Sequence, residues 1–229
     1  MPQQHTDREY ENELSKLRER VLLMGARVEV MIASGMRAFS ERDVELARRT
    51  IDADRQIDQL ELEIDEMSLR VLARRQPVAV DLRVVTTALK LVTDLERIGD
   101  LGVNICERVI ELGDEPPLPV NVSVQRIADA ALAMLRDALD AFVASDAVKA
   151  EQVLGRDQSV DAYYAQLFPE LVAFMMANPS AVYRATRLQS IGKYLERIAD
   201  HATNIAEMVV FMVKGEDVRH PGSIGEHSE

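Results

Sequence analysis

The chain has 229 residues, a formal net charge of −12, one cysteine and no tryptophan. The negative charge argues against nucleic acid or an anionic membrane surface as the main partner. No apolar run is long enough to span a membrane, the N-terminus lacks the apolar core of a secretion signal, and the lone Cys106 excludes an internal disulfide. We therefore predict a cytoplasmic protein, and its aliphatic composition favours packed helices over a sheet.

Three helices are predicted in the first half of the chain. Apolar residues recur every three or four positions from Leu14 to Gly35, which indicates a first helix ending near residue 40. A second helix with the same spacing is predicted to end before Pro77, because a proline disfavours the helical conformation of the residue before it. The third runs from about residue 80 to Val109, and Gly113 with the proline-rich run after it marks a domain boundary.

The second half follows the same plan, with helices predicted over about 123–145, 146–177 and 180–214. The predicted fold is all-α, with two tandem, internally repeated three-helix bundles and six long helices in total. The first bundle is assigned to residues 1–115 and the second to 116–214. Residues 215–229 have no periodicity and few apolar groups, so we predict a disordered tail.

An internal repeat supports this division. The segment LERIGDLGVNICERV, which begins at Leu95, returns as LERIADHATNIAEMV, which begins at Leu195, and nine of the fifteen positions are identical. Average residue usage would give about one identity by chance. Upstream, the repeat continues from Phe39 to Asp58 with an offset of 103 residues instead of 100. The three-residue difference must fall between Asp58 and Leu95, near the Pro77 turn or in unequal helix lengths.

The repeat preserves pairs of acidic residues four positions apart. On a helix such pairs differ by about 40° around the axis and so share a face. If the second and third helices of each half pack antiparallel, four carboxylates could converge in each bundle, where they would suit hard divalent or trivalent cations. The alternative is a solvated acidic face paired with arginines. The candidate metal ligands are Asp54, Asp58, Glu96, Asp100, Asp157, Asp161, Glu196 and Asp200.

Three functional classes follow from these residues. The first is a non-catalytic adaptor whose acidic clusters hold metal. The second is a carboxylate-bridged iron bundle for storage or redox chemistry, although the Glu-x-x-His pattern of such bundles is missing from the sequence. The third is a metal-free helical scaffold. No set of catalytic residues is suggestively spaced, and Ala206 stands where Cys106 would repeat, so we predict that the chain is not an enzyme.

The segments RQPVAVDLRVVTTALKLVTDLERIGDLGVNICE and YLERIADHATNIAE resemble the PhoU family of phosphate-signalling regulators. The similarity extends over nearly the whole chain, to about Gly215. It implies two similar three-helix bundles, with the eight acids as the metal-facing residues. The implied cofactors are iron, zinc, manganese, magnesium or another cation, in some members as multinuclear clusters. Leu101 stands where the second half has His201, so the two sites are expected to differ in metal affinity or metal preference.

The resemblance also implies a function. The chain would be a cytoplasmic negative regulator of the phosphate-starvation response that links the ATP-binding subunit of a phosphate ABC importer to a phosphate-sensing histidine kinase. It would lie at the membrane through these partners, without inserting into it, and would form a homodimer. Because the sequence contains no glycine-rich phosphate loop, we expect a relay that does not itself sense phosphate.

Overall fold

The computed structural model describes residues 3–118 and 121–215, with side chains described for residues 8–118 and 123–215. Every regular element in this part of the chain is a helix, which confirms the all-α prediction. A short 3-10 helix, Pro179–Ala181, precedes the last helix. The predicted disordered tail, apart from its first residue, lies outside the described residues. The α-helices of the described ranges are α1 (Gln3–Glu41), α2 (Val44–Asp52), α3 (Arg55–Arg75), α4 (Ala79–Glu111), α5 (Asn121–Ala144), α6 (Ala147–Leu154), α7 (Asp157–Ala177) and α8 (Val182–Lys214).

The second predicted helix of each half is two helices separated by a turn. The turn lies at Ala53 and Asp54 in the first half and at Gly155 and Arg156 in the second. In both turns a backbone N–H donates to the carbonyl three residues earlier, which tightens the chain locally. The turn places the first acid of each pair at a helix start: Asp54 is the N-cap of α3 and Asp157 is the first residue of α7. A negative charge is favourable there because helix N-termini carry partial positive charge.

The starts of α2 and α6 show that the repeat extends to local detail. Asp43 caps α2 and Asp146 caps α6, and each side chain accepts a hydrogen bond from the backbone N–H three residues later, at 2.8 and 3.0 Å. The preceding residues, Arg42 and Ser145, both adopt left-handed backbone conformations, with φ of 59° and 51°. These positions are related by the 103-residue offset found in the sequence.

Helices α4 and α8, each of 33 residues, lie antiparallel at the centre of the molecule. At one end, Arg83 of α4 donates to the Met212 carbonyl of α8 at 3.0 Å, and at the other end Arg187 of α8 pairs with Glu111 of α4. Helices α1, α2 and α3 pack against α4, helices α5, α6 and α7 pack against α8, and α1 also contacts α5. The buried apolar core consequently runs without interruption through both halves.

The core contains the residues that the apolar spacing predicts. Leu17, Val21, Met24 and Val28 of α1 are fully buried. Cys106 is buried as well, and burial raises the pKa of its thiol to about 12, so the thiol stays protonated at neutral pH. Cys106 therefore serves as a small packing residue. None of the helices in the described ranges combines the length and apolarity needed to cross a membrane.

Candidate metal centres

In the first half, α3 and α4 bring the four predicted acids Asp54, Asp58, Glu96 and Asp100 within electrostatic reach of one another. Burial, followed by the negative charges of Asp58 and Asp100, raises the pKa of Asp54 to about 6. Burial also raises the pKa of Glu96; Asp100 adds to this rise, and Arg97 opposes it. The four carboxylates influence one another electrostatically across the two helices, but among the described residues only the second half brings three carboxylate oxygens within 4.8 Å of one another. We call these four residues the first cluster.

A fifth carboxylate, Glu61, joins the first cluster and is missing from the predicted set. Burial, then the charges of Asp65 and Asp58, raises its pKa. Glu61 is three residues after Asp58 on α3, so helical spacing places both on one face. Tyr164 occupies the equivalent position in the second half, so the repeat does not preserve an acid there. The helical spacing alone was the signal that could have identified it.

In the second half, α7 and α8 form the equivalent second cluster of Asp157, Asp161, Glu196 and Asp200. Carboxylate oxygens of the last three all lie within 4.8 Å of one another. Asp157 accepts a hydrogen bond from the Thr203 hydroxyl at 3.2 Å. Burial raises the pKa of Asp157 despite this bond, and the charges of Asp161 and Glu196 add to the rise. Burial also raises the pKa of Asp200, followed by the charges of Glu196 and Asp157.

Each cluster is bordered by a basic side chain, but at different distances. Arg97 lies 3.6 Å from Glu96 and 3.7 Å from Asp100, and it remains largely exposed. Lys193 lies much closer to its carboxylate, with Nζ 2.6 Å from Glu196. The first cluster therefore has one feature of the alternative, a solvated acidic face paired with arginines, because Arg97 balances some of its negative charge.

His201 lies outside the second cluster and connects the two halves. Its Nδ1 is 2.7 Å from Oδ1 of Asp94 on α4, and both side chains are mostly buried. Asn204 donates to the same Asp94 oxygen at 3.2 Å. Asn204 and His201 thus connect α8 to α4 through the same carboxylate, as the hydrogen-bonding capacity of an amide allows for Asn204.

The geometry of the second cluster suits an oxygen-preferring cation, because three of its carboxylates bring oxygens within 4.8 Å of one another. Two like charges about 4 Å apart repel by about 4 kcal/mol at an effective dielectric of 20, so converging carboxylates favour bound protons or a cation. The Lys193 ammonium, 2.6 Å from both oxygens of the largely buried Glu196, shows that this point of the second cluster already accommodates a positive charge. Hard cations such as Mg²⁺, Mn²⁺ or Ca²⁺ take oxygen ligands of this kind.

The chain resembles known proteins over nearly its full length. The PhoU domain model matches it twice, over residues 21–109 and 124–209. The phosphate-specific transport system accessory protein PhoU homolog of Pseudomonas putida is 42% identical over 219 residues, which cover 95% of this chain and 86% of that protein. The Escherichia coli K12 protein PhoU, of the same description, is 34% identical over 95% of this chain and 90% of its own length.

Solved structures agree with these sequence matches. The crystal structure of PhoU from Pseudomonas aeruginosa superposes with a TM-score of 0.87 at 40% identity, over 90% of this chain and 100% of that chain. The phosphate transport system regulatory protein PhoU from Streptococcus pneumoniae gives a TM-score of 0.85 at 30% identity, over 92% and 100% of the two chains. The doubled motif, the helical architecture and these matches together establish that the chain belongs to the PhoU family.

Proposed function

We propose that this chain is an accessory regulator of phosphate transport that represses the phosphate-starvation response when phosphate is plentiful. It acts as a non-catalytic adaptor between the ATP-binding subunit of a phosphate ABC importer and a phosphate-sensing histidine kinase. These partners hold it at the cytoplasmic face of the membrane. The observation that carries this proposal is the near full-length similarity to proteins named as accessory to phosphate-specific transport systems.

The surface is compatible with an adaptor. Several large apolar side chains are exposed, including Val78 just before α4 and Met176 near the end of α7, which are 75% and 79% exposed. Exposed apolar groups of this kind supply contact area for protein partners. The net charge of −12 disfavours binding to nucleic acid.

We further propose that the two acidic clusters bind metal cations. Iron, zinc, manganese and magnesium are the candidates, and several carboxylates in one patch allow more than one ion. Asp54, Asp58, Glu96 and Asp100 would hold the first site, and Asp157, Asp161, Glu196 and Asp200 the second. The bound cation would offset the mutual repulsion of the carboxylates and fix α3 against α4 and α7 against α8.

Genetic complementation tests the regulatory role. Deleting the gene should derepress a phosphate-starvation reporter in phosphate-rich medium, and the wild-type chain should restore repression. A pull-down from membranes of phosphate-fed cells should recover the importer ATPase or the kinase. Normal repression in the deletion strain, together with recovery of neither partner at several metal concentrations, would overturn the proposal.

Elemental analysis of protein purified without chelator tests the metal proposal separately. Bound metal that is lost when both clusters carry Asn and Gln in place of Asp and Glu supports it, whereas metal-free wild-type protein supports the scaffold alternative. Oxygen consumption on addition of Fe²⁺ would favour the iron-bundle alternative. The homodimer expected from the family resemblance stays a prediction, which light scattering measures directly.

A further inference from the structure

The second cluster contains a cation of its own. Nζ of Lys193 lies 2.6 Å from both carboxylate oxygens of Glu196. It donates a hydrogen bond to Oε1, and the side chain of Glu196 is only 13% exposed. The ammonium group therefore occupies the approach to a largely buried carboxylate of the cluster.

An aromatic side chain borders this lysine. The ring of Tyr164 on α7 lies 5.4 Å from Nζ of Lys193, within the range of a cation–π interaction. Gly192, the residue before Lys193, allows α7 to approach closely, since a Cβ atom at Gly192 would lie 2.5 Å from Cδ2 of Leu167 and 3.4 Å from Cδ2 of Tyr164. The ammonium is thus held by a carboxylate on one side and an aromatic face on the other.

The first cluster lacks both of these side chains. By the repeat, Thr93 corresponds to Lys193 and Glu61 corresponds to Tyr164. The first cluster thus has a fifth carboxylate where the second has an aromatic ring. Its bordering cation, Arg97, stays at 3.6 Å or more and is 59% exposed.

We infer that Lys193 is a built-in counter-ion of the second cluster, which a metal ion must displace, so that this lysine weakens metal binding at the second site. The inference rests on the proposed metal-binding function. A metal ligated by Glu196 needs metal–oxygen distances of about 2.0–2.6 Å. The ammonium already occupies that distance from both oxygens, and its like charge repels the incoming ion. Metal binding at the second site therefore includes release of Lys193, a step that the first site does not require.

Titration of the full chain with Mn²⁺, followed by the electron paramagnetic resonance signal of free Mn²⁺, tests the inference. Each site is measured alone in a background in which the acids of the other cluster are neutralised. Replacing Lys193 with methionine should raise the affinity of the second site by about three- to tenfold, the range expected for a partly exposed, hydrogen-bonded charge pair. The reciprocal change, Thr93→Lys, should lower the affinity of the first site.

Two controls separate a local effect from a general one. Lys193→Arg keeps the positive charge and should leave the Mn²⁺ affinity of the second site low. Lys90→Met removes a positive charge from α4 at a different place and should change the Mn²⁺ affinity of neither site. Melting in chelator gives a second measurement, since Lys193→Met should lower the metal-free melting temperature while raising the stabilisation by Mn²⁺. Circular dichroism verifies that each variant is folded.

The outcomes distinguish this inference from the proposed function. An unchanged Mn²⁺ affinity of the second site in Lys193→Met would overturn the role of Lys193 and leave metal binding intact. Absence of Mn²⁺, Zn²⁺ and Fe²⁺ binding at either cluster would overturn the metal proposal and this inference with it.

Discussion

Replacing Asp54 with asparagine should stabilise the metal-free protein at neutral pH. Burial, and then the charges of Asp58 and Asp100, raises the Asp54 pKa to about 6 from 3.8. That shift of about two units corresponds to roughly 3 kcal/mol, but water screens this partly exposed carboxylate, so about 1 kcal/mol remains. Asp54 makes no side-chain capping hydrogen bond that the change could remove. Loss of its attraction to the N-terminus of α3 costs about 0.3–1 kcal/mol, so a small net gain is expected.

The sign of this effect depends on pH. Because the folded pKa of Asp54 exceeds the unfolded value, the folded state holds the proton more tightly, and this contribution is fully present below pH 3.8 and lost as pH rises through about 6. Asparagine cannot ionise, so the Asp54→Asn protein should be more stable than the wild type at pH 7.5. Near pH 4 the two proteins should differ little in stability. At pH 7.5 a net gain of up to about 0.7 kcal/mol raises the melting temperature by up to about 3 °C for a chain of this size.

Circular dichroism melting in the presence of chelator measures the effect at both pH values. Asp114→Asn is the matched control, because Asp114 is exposed and lies outside both clusters. Excess metal should reverse the order, since a ligand that binds the folded state at 100 times its Kd stabilises by about 2.7 kcal/mol and the variant lacks one carboxylate for it. A melting temperature of Asp54→Asn below that of the wild type in chelator at pH 7.5 would refute the electrostatic reasoning.

Three further changes test the core, the second cluster and the contact between halves. Asp161→Asn should lower Mn²⁺ affinity at the second cluster by at least about tenfold, because it removes one of three converging oxygens; unchanged affinity in calorimetry would exclude it as a ligand. Leu95→Ala should cost about 2–5 kcal/mol in urea unfolding because the side chain is fully buried, whereas the exposed Leu62→Ala should cost far less; similar losses would contradict the assigned core. His201→Ala should cost about 1–3 kcal/mol by removing the 2.7 Å contact to Asp94; an unchanged urea midpoint would show that this contact adds nothing.

Periodicity predicted the helices well because burial on one side of a helix imposes a repeating spacing. The long seam of α1 and the ends near Pro77 and Gly215 follow from that spacing and from residues that stop helices. The three-residue difference between the repeat offsets also has a structural explanation: 16 residues of α4 precede Leu95, but 13 residues of α8 precede Leu195. Unequal helix length, one of the two explanations considered, accounts for it.

The turns inside the second helix of each half were not predicted. Ala53 and Asp54 include neither glycine nor proline, and the buried positions on either side, Thr50 and Ile57, keep helical spacing. Gly155 is the stronger signal in the second half, since glycine weakens a helix interior by about 1 kcal/mol. Because the apolar spacing continues across such a turn, the sequence pattern does not reveal it.

The approach of Asp161 to Glu196 and Asp200 was predictable because it depends on helix geometry and on the antiparallel packing of consecutive helices. The contacts of Lys193 and the pairing of Asp94 with His201 were not. Lys193 depends on which rotamer a long side chain adopts, and the Asp94 contact depends on how the halves pack. Residues more than one hundred positions apart meet there, and periodicity within each half contains no information about that arrangement.

The antiparallel pairing of α4 with α8 has a consequence for how the chain can vary. These are equivalent helices of the repeat, and each presents its own face to the other, as identical subunits do across a two-fold axis. In a true dimer of one bundle, a lysine beside one acidic cluster would necessarily stand beside the other. Fusion into a single polypeptide removes that symmetry requirement, so Thr93 and Lys193 can differ and a pseudo-symmetric scaffold can carry two unequal sites.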